Sequence, residues 1–226
     1  MPELAVALDT ADVDQAAQWA GAVAPHAGLL KLGLEFYLRN GAEGVQTVRE
    51  QAPACGLFLD LKLHDIPATV AGGARAVAPL DPDYLTVHAS GGSDMIAAAA
   101  EALPKTRITA VTVLTSLAPS DLSDLGLSGT PAHLAAHWAA LAVAAGARAV
   151  VSSVLEATAI RSVVGGVVDI VTPGIRPAGS DRQDQARVAT PQAALAAGAN
   201  VLVVGRPITG ASDPTAAAAA IASAMA

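Results

Sequence analysis

The chain has 226 residues, 53% of them hydrophobic and 15% charged, a composition that folds rather than staying disordered. Lysine plus arginine is 13 and aspartate plus glutamate is 20, leaving a formal net charge of −7 that argues against non-specific binding to nucleic acid or an anionic membrane. Cys55, the single cysteine, excludes an internal disulfide, no apolar run approaches the roughly 18 residues of a membrane helix, and the start MPELAVALDT lacks the basic region of a signal peptide, so a soluble cytoplasmic protein is expected.

Eight short β-rich runs follow one another: 4–8, 29–34, 57–63, 84–88, 107–114, 149–152, 168–172 and 200–204. Helical patterns fill the gaps. Val13, Ala16, Ala17, Ala20 and Val23 recur at helical spacing, as do Ile66, Val70 and Val77. Segment 130–146 places Leu134, Trp138, Leu141 and Ala145 on one face, starts with Thr130 and Pro131 as N-cap and first helical residue, and ends at Gly146. Thr190-Pro191 and Asp213-Pro214 repeat that start, and the alanine-rich tail 215–226 reads as a final helix. A doubly wound open sheet could share the alternation, but eight units in a row favour a (β/α)8 TIM barrel. No Pro/Gly/Ser-rich linker divides the chain, so 1–226 is read as one domain. In such a barrel the chemistry sits where strands end.

Run three ends in Asp60-Leu61-Lys62-Leu63-His64-Asp65. Strand alternation turns Asp60 and Lys62 to one face, into the barrel, and Leu59, Leu61 and Leu63 to the other. Two ionic groups in an apolar strand are costly unless paired or functional. One reading is a buried structural ion pair with Asp65 as N-cap of the next helix. The other is a functional cluster, because Lys31 in run two and Asp9 at the end of run one share the position. Alternating carboxylates keep the lysines protonated, which suits electrostatic stabilisation and proton donation better than Schiff-base chemistry. Run eight closes in Gly205-Arg206, at the usual phosphate site of such barrels, and the polar loop after Arg176 is a candidate lid.

These motifs, in order, are AVALDT at 5–10, KLGLEFY at 31–37, FLDLKLHDIPATV at 58–70, TVHASGG at 86–92, AVTVLTS at 110–116, VTPGIRP at 171–177 and VVGRPIT at 203–209. Together they resemble the orotidine 5′-phosphate decarboxylase family, bacterial type, over essentially the whole chain. The resemblance implies a homodimer that converts orotidine 5′-monophosphate (OMP) to uridine 5′-monophosphate (UMP) and CO2 without metal or organic cofactor. It implies that Lys62 protonates C6 of the pyrimidine and that Asp60 faces the substrate carboxylate. Asp65 and Thr69 would be lent across the subunit interface. Asp9 and Lys31 match ribose contacts, with Lys31 also part of the charged array. Thr115 matches a pyrimidine contact, Gln185, Gly205 and Arg206 match the phosphate contacts, and Arg176 matches a substrate-binding position. The lid departs from the family's Gly-Asp-Gln, reading Gln183-Asp184-Gln185. His88 is read as filling the barrel mouth, His64 as a packing or orienting residue, and His26, His133 and His137 show no metal spacing. The alternatives are a magnesium-dependent phosphosugar enzyme on the same scaffold, such as a 3-keto-gulonate 6-phosphate decarboxylase or a hexulose-phosphate synthase, and a non-catalytic nucleotide-binding barrel.

Overall fold

The computed structural model describes residues 2–177 and 189–226. The elements run β1 (Glu3–Ala7), α1 (Val13–Val23), β2 (Leu29–Gly33), α2 (Leu34–Glu50), β3 (Gly56–Leu63), α3 (Pro67–Val77), β4 (Tyr84–His88), α4 (Ser93–Ala102), β5 (Arg107–Val111), α5 (Pro119–Asp124), α6 (Pro131–Ala144), β6 (Ala149–Val151), α7 (Val154–Val164), β7 (Asp169–Thr172), α8 (Pro191–Ala196), β8 (Val201–Val204), α9 (Arg206–Thr209) and α10 (Pro214–Ala224). The strands form a closed barrel in sequence order, each pair parallel, with β8 returning to β1 through Ala5 opposite Val203. This is the expected (β/α)8 TIM barrel. The expected runs each contain a strand. The longest, 107–114, ends its pairing at Val111, and Leu34 belongs to α2.

Alternation divides the strands between two cores. Ala5, Ala7, Leu29, Phe58, Tyr84, Ala149, Val171, Val201 and Val203 fill the barrel interior. Leu4, Val6, Leu30, Leu32, Leu57, Leu59, Leu85, Ile170 and Leu202 face the helices. Within the barrel the rings of Phe58 and Tyr84 lie 5.5 Å apart, and small alanines on β1 and β6 leave them room. At the N-terminal mouth Tyr84 donates to Asp169 Oδ2 (2.9 Å), and Asp169 pairs with Arg107 (3.1 Å), whose guanidinium lies over the Tyr84 ring. The interior is thus packed from the bottom up to Phe58, and open space begins above it.

Helix starts follow their caps. Asp12 accepts from the amides of Asp14 and Gln15, Thr130 from His133, Thr190 from Ala193 and Asp213 from Ala216, the last three each followed by proline. Two expectations are corrected. The buried face of α6 runs through Leu134, Ala135, Ala139 and Ala142, whereas Trp138 and Leu141 pack at its flank. Alanines let this helix approach the barrel, where larger side chains would hold it off. Helix α3 is preceded by Ile66, two-thirds exposed and without a side-chain cap, so Asp65 is not its N-cap.

Candidate active site

At the C-terminal mouth, Phe58, Val111, Val113, Val151, Val171 and Val203 line an apolar floor, and polar groups stand above it. The cavity, about 550 Å³, is also lined by Asp9, Lys31, Asp60, Lys62, Thr115, Ser152, Arg176, Gly205 and Arg206. Residues from β1, β2, β3, β5, β6, β7 and β8 therefore meet in one space that the barrel closure alone creates.

The first three strands build a chain of charges. Lys31 Nζ lies 3.0 Å from Asp9 Oδ1 and 3.3 Å from Asp60 Oδ2, and Lys62 Nζ lies 2.7 Å from Asp60 Oδ1. Gly33 lies beside Asp60 in the β2–β3 register, and a Cβ there would sit 3.5 Å from both Asp9 Oδ1 and Lys31 Nζ. Burial pulls the Lys31 pKa down, but the charges of Asp60 and Asp9 outweigh it and hold the ammonium above its ordinary value. Burial pushes the Asp60 carboxyl up, but Lys31 and Lys62 outweigh it and hold the group below its ordinary value. Lys31 and Asp60 are therefore both ionised at neutral pH. The Lys62 side chain is 38% exposed, against 9% for Lys31 and 15% for Asp60, so Lys62 is the more open of the array's two ammonium groups and lines the cavity.

Lys62 has a backbone φ of 51°, one of two positive values outside glycine among the described residues. Left-handed backbone at a non-glycine residue costs on the order of 1–3 kcal/mol and persists only where its surroundings impose it. On the opposite wall, Gly174 adopts φ 77° in the turn after β7, a conformation that favours glycine, and brings the backbone to the cavity.

Asp65 and Thr69 are exposed, and the Asp65 carboxylate accepts only from the Ile66 amide among the described residues. They stand apart from their own chain's array. His88 is half-buried with its ring 5.3 Å from that of His64. Burial, then the charges of His64 and Lys62, pull the His88 pKa below its ordinary value, so the ring is neutral at pH 7. Among the described residues no three His, Cys, Asp or Glu side chains are grouped to hold a metal ion. The place between the Asp9 and Asp60 carboxylates is filled by the Lys31 ammonium.

A sequence profile of the Orotidine 5'-phosphate decarboxylase / HUMPS family matches residues 2–221. The chain belongs to this family. Among its relatives, an orotidine 5'-phosphate decarboxylase of Thermobifida fusca is 61% identical over 97% of this chain and 94% of its own length. One from Frankia casuarinae is 50% identical over 98% of this chain and 87% of its own. A crystal structure of orotidine 5'-phosphate decarboxylase from Lactobacillus acidophilus superposes with a TM-score of 0.87 at 36% identity, covering 100% of this chain and 99% of that one. The family resemblance drawn from the ordered motifs therefore stands.

The cavity brings together Asp9, Lys31, Asp60, Lys62, Thr115, Arg176, Gly205 and Arg206 as expected. Gln185, with Gln183 and Asp184 beside it, lies outside the described residues. One residue escaped the sequence reading. Ser152, at the end of β6, lines the cavity while 1% exposed, and its hydroxyl has no hydrogen-bond partner among the described residues. A buried hydroxyl left unpaired is costly, and a ligand's polar group would satisfy it. The only sequence signal was its position at the C-terminal end of a barrel strand.

Proposed function

We propose that this chain decarboxylates OMP to UMP and CO2 in pyrimidine biosynthesis, with Lys62 as the acid. The observation that carries the reading is the ion-paired chain Asp9–Lys31–Asp60–Lys62, which presents the Lys62 ammonium to an apolar-floored cavity. Helix α9 begins at Arg206 on the far side of the array, where Gly205 and Arg206 hold the phosphate; Gln185, outside the described residues, is assigned to the phosphate on the family resemblance alone. Asp9 and Lys31 meet the ribose, Thr115 and Ser152 meet the pyrimidine, and Arg176 steadies the nucleotide from the β7 side.

The bond from C6 to the carboxylate breaks, its electron pair stays on C6, and CO2 departs. The Lys62 ammonium then gives one proton to C6, and the neutral amine is recharged from solvent. No adjacent group delocalises the carbanion, so the protein must stabilise its charge directly. At about 4 Å, two unit charges interact by about 4 kcal/mol at an effective dielectric of about 20. That is about three powers of ten in rate. Asp60 aims Lys62 through their ion pair at 2.7 Å, and preorganised charge of this kind is a large term in catalysis. Phosphate binding remote from C6 supplies energy that raises the chemical rate.

The reading includes a cytoplasmic homodimer in which Asp65 and Thr69 of each copy reach the other's Lys62 and the ribose. Their exposure, and the separation of Asp65 from its own array, support this arrangement. The magnesium-dependent alternative needs a cation among the carboxylates, where Lys31 already stands. The test is the loss of pyrimidine absorbance as OMP is consumed, with and without EDTA. Equal rates are expected. No consumption would overturn the reading, and a rate abolished by EDTA would favour the magnesium-dependent enzyme.

A further inference from the structure

Over the stretch from Leu59 to Leu63, β3 advances four residues while β4 advances two, from Leu85 to Val87. Thr86 is the β4 residue that faces this bulge. It is wholly buried, and its side chain lies between two groups that the bulge would leave without partners. The Lys62 backbone N–H, taken out of the ladder, donates to Thr86 Oγ1 at 2.8 Å. The Thr86 hydroxyl donates to Asp60 Oδ1 at 3.0 Å, the same oxygen that receives Lys62 Nζ at 2.7 Å. The proton on the hydroxyl has one possible direction: the amide can only donate, so Oγ1 must accept there and give its own hydrogen to the carboxylate. A closed ring results, from the Lys62 amide through Thr86 to Asp60 and back to the Lys62 ammonium.

We infer that Thr86 is a positioning residue for Lys62, its hydroxyl fixing both the left-handed backbone of the lysine and the carboxylate that aims the ammonium. The inference rests on the reading of Lys62 as proton donor. The β-branched side chain adds to the device, because its restricted χ1 keeps the hydroxyl pointed into the bulge. A valine would keep the shape and lose both hydrogen bonds. The amide would be unpaired and Asp60 Oδ1 would lose the donor that fixes it, so that Lys62 shifts with it, while Lys31 keeps its bond to Asp9 and the phosphate contacts on β8 stay in place.

The test compares steady-state kinetics of Thr86→Val and Thr86→Ser with the unaltered enzyme on OMP. Misplacing a catalytic group by about 1 Å costs on the order of 100-fold. Thr86→Val is expected to lower kcat by a factor of that order, with KM within about threefold, and Thr86→Ser to restore kcat to within about tenfold of the original, its looser χ1 being the remaining loss. A purely structural role would lower stability without this split or this rescue. Should Thr86→Val not fold, Thr86→Cys takes its place, since a thiol of similar size is a weak donor and acceptor, and the same loss in kcat alone is expected. An unaltered enzyme that turns over OMP beside a valine or cysteine variant of equal kcat would overturn the inference and leave the function standing. So would equal losses in the serine and valine variants. An unaltered enzyme with no activity on OMP would overturn both.

Discussion

Lys62→Ala is expected to lower kcat by at least about three powers of ten, the worth of one unit charge about 4 Å from a carbanion in this setting. The fold should survive. Asp60 would lose one of two cations but keep Lys31 at 3.3 Å and the Thr86 hydroxyl at 3.0 Å, so no buried charge is orphaned. The lysine is also the most exposed member of the pair it forms with Asp60, and its removal opens no cavity in the packed interior. Relief of the positive φ is not expected, because alanine at 62 meets the same backbone demand. A single-turnover measurement checks the rate, and thermal unfolding checks the fold, with a Tm expected within about 5 °C of the unaltered protein. Activity within tenfold of the original would remove Lys62 from the chemistry.

The second large effect lies between subunits. Asp65→Ala and Lys62→Ala are each expected to be nearly inactive, yet their co-expression should regain activity. In a twofold dimer, each hybrid pairs one site carrying both defects with one site carrying neither. Random association makes half the dimers hybrid, so about a quarter of the unaltered activity is expected. The reason lies in the chain's path after β3. The left-handed turn at Lys62 and the extended entry into α3 carry Asp65 away from the array, and segment 64–69 ends up exposed. A mixture no more active than its parents would place Asp65 and Lys62 in the same chain's site.

Much of the barrel was legible because its strands are short aliphatic runs separated by capped helices. Alternation alone put Asp60 inside and Leu59 outside, and the common position of Asp9, Lys31, Asp60 and Lys62 at strand ends marked the site. What stayed hidden had physical reasons. The periodicity of a strand assumes an even ladder, so neither the positive φ of Lys62 nor the two-residue slip against β4 could be read from residue types. Thr86 looked like an ordinary β-branched residue in an apolar strand, and its role exists only because the slip sets its hydroxyl opposite a freed amide. Ser152 stands between Val151 and the helix-capping Ser153, and reveals itself only through a hydroxyl left unpaired beside a cavity. In α6 a hydropathy pattern favoured Trp138 and Leu141, whereas close approach to the barrel selected alanines.

In the proposed reaction the charged array divides two duties between its lysines. Lys31 lies buried between two carboxylates and is held charged, which suits a fixed counter-ion. Lys62 shares one carboxylate and faces the open cavity, a placement that suits the proton donor of the proposed reaction. Asp60 links the two, which explains why the strand tolerates a carboxylate in an otherwise apolar interior.

A crystal structure of the complex with UMP tests the central claim most directly. Lys62 Nζ is expected within about 3.5 Å of C6, the distance at which a proton can pass between them, with the phosphate on Arg206 and Gly205. An ammonium turned away from C6, or a nucleotide bound with its base outside the apolar floor, would contradict it.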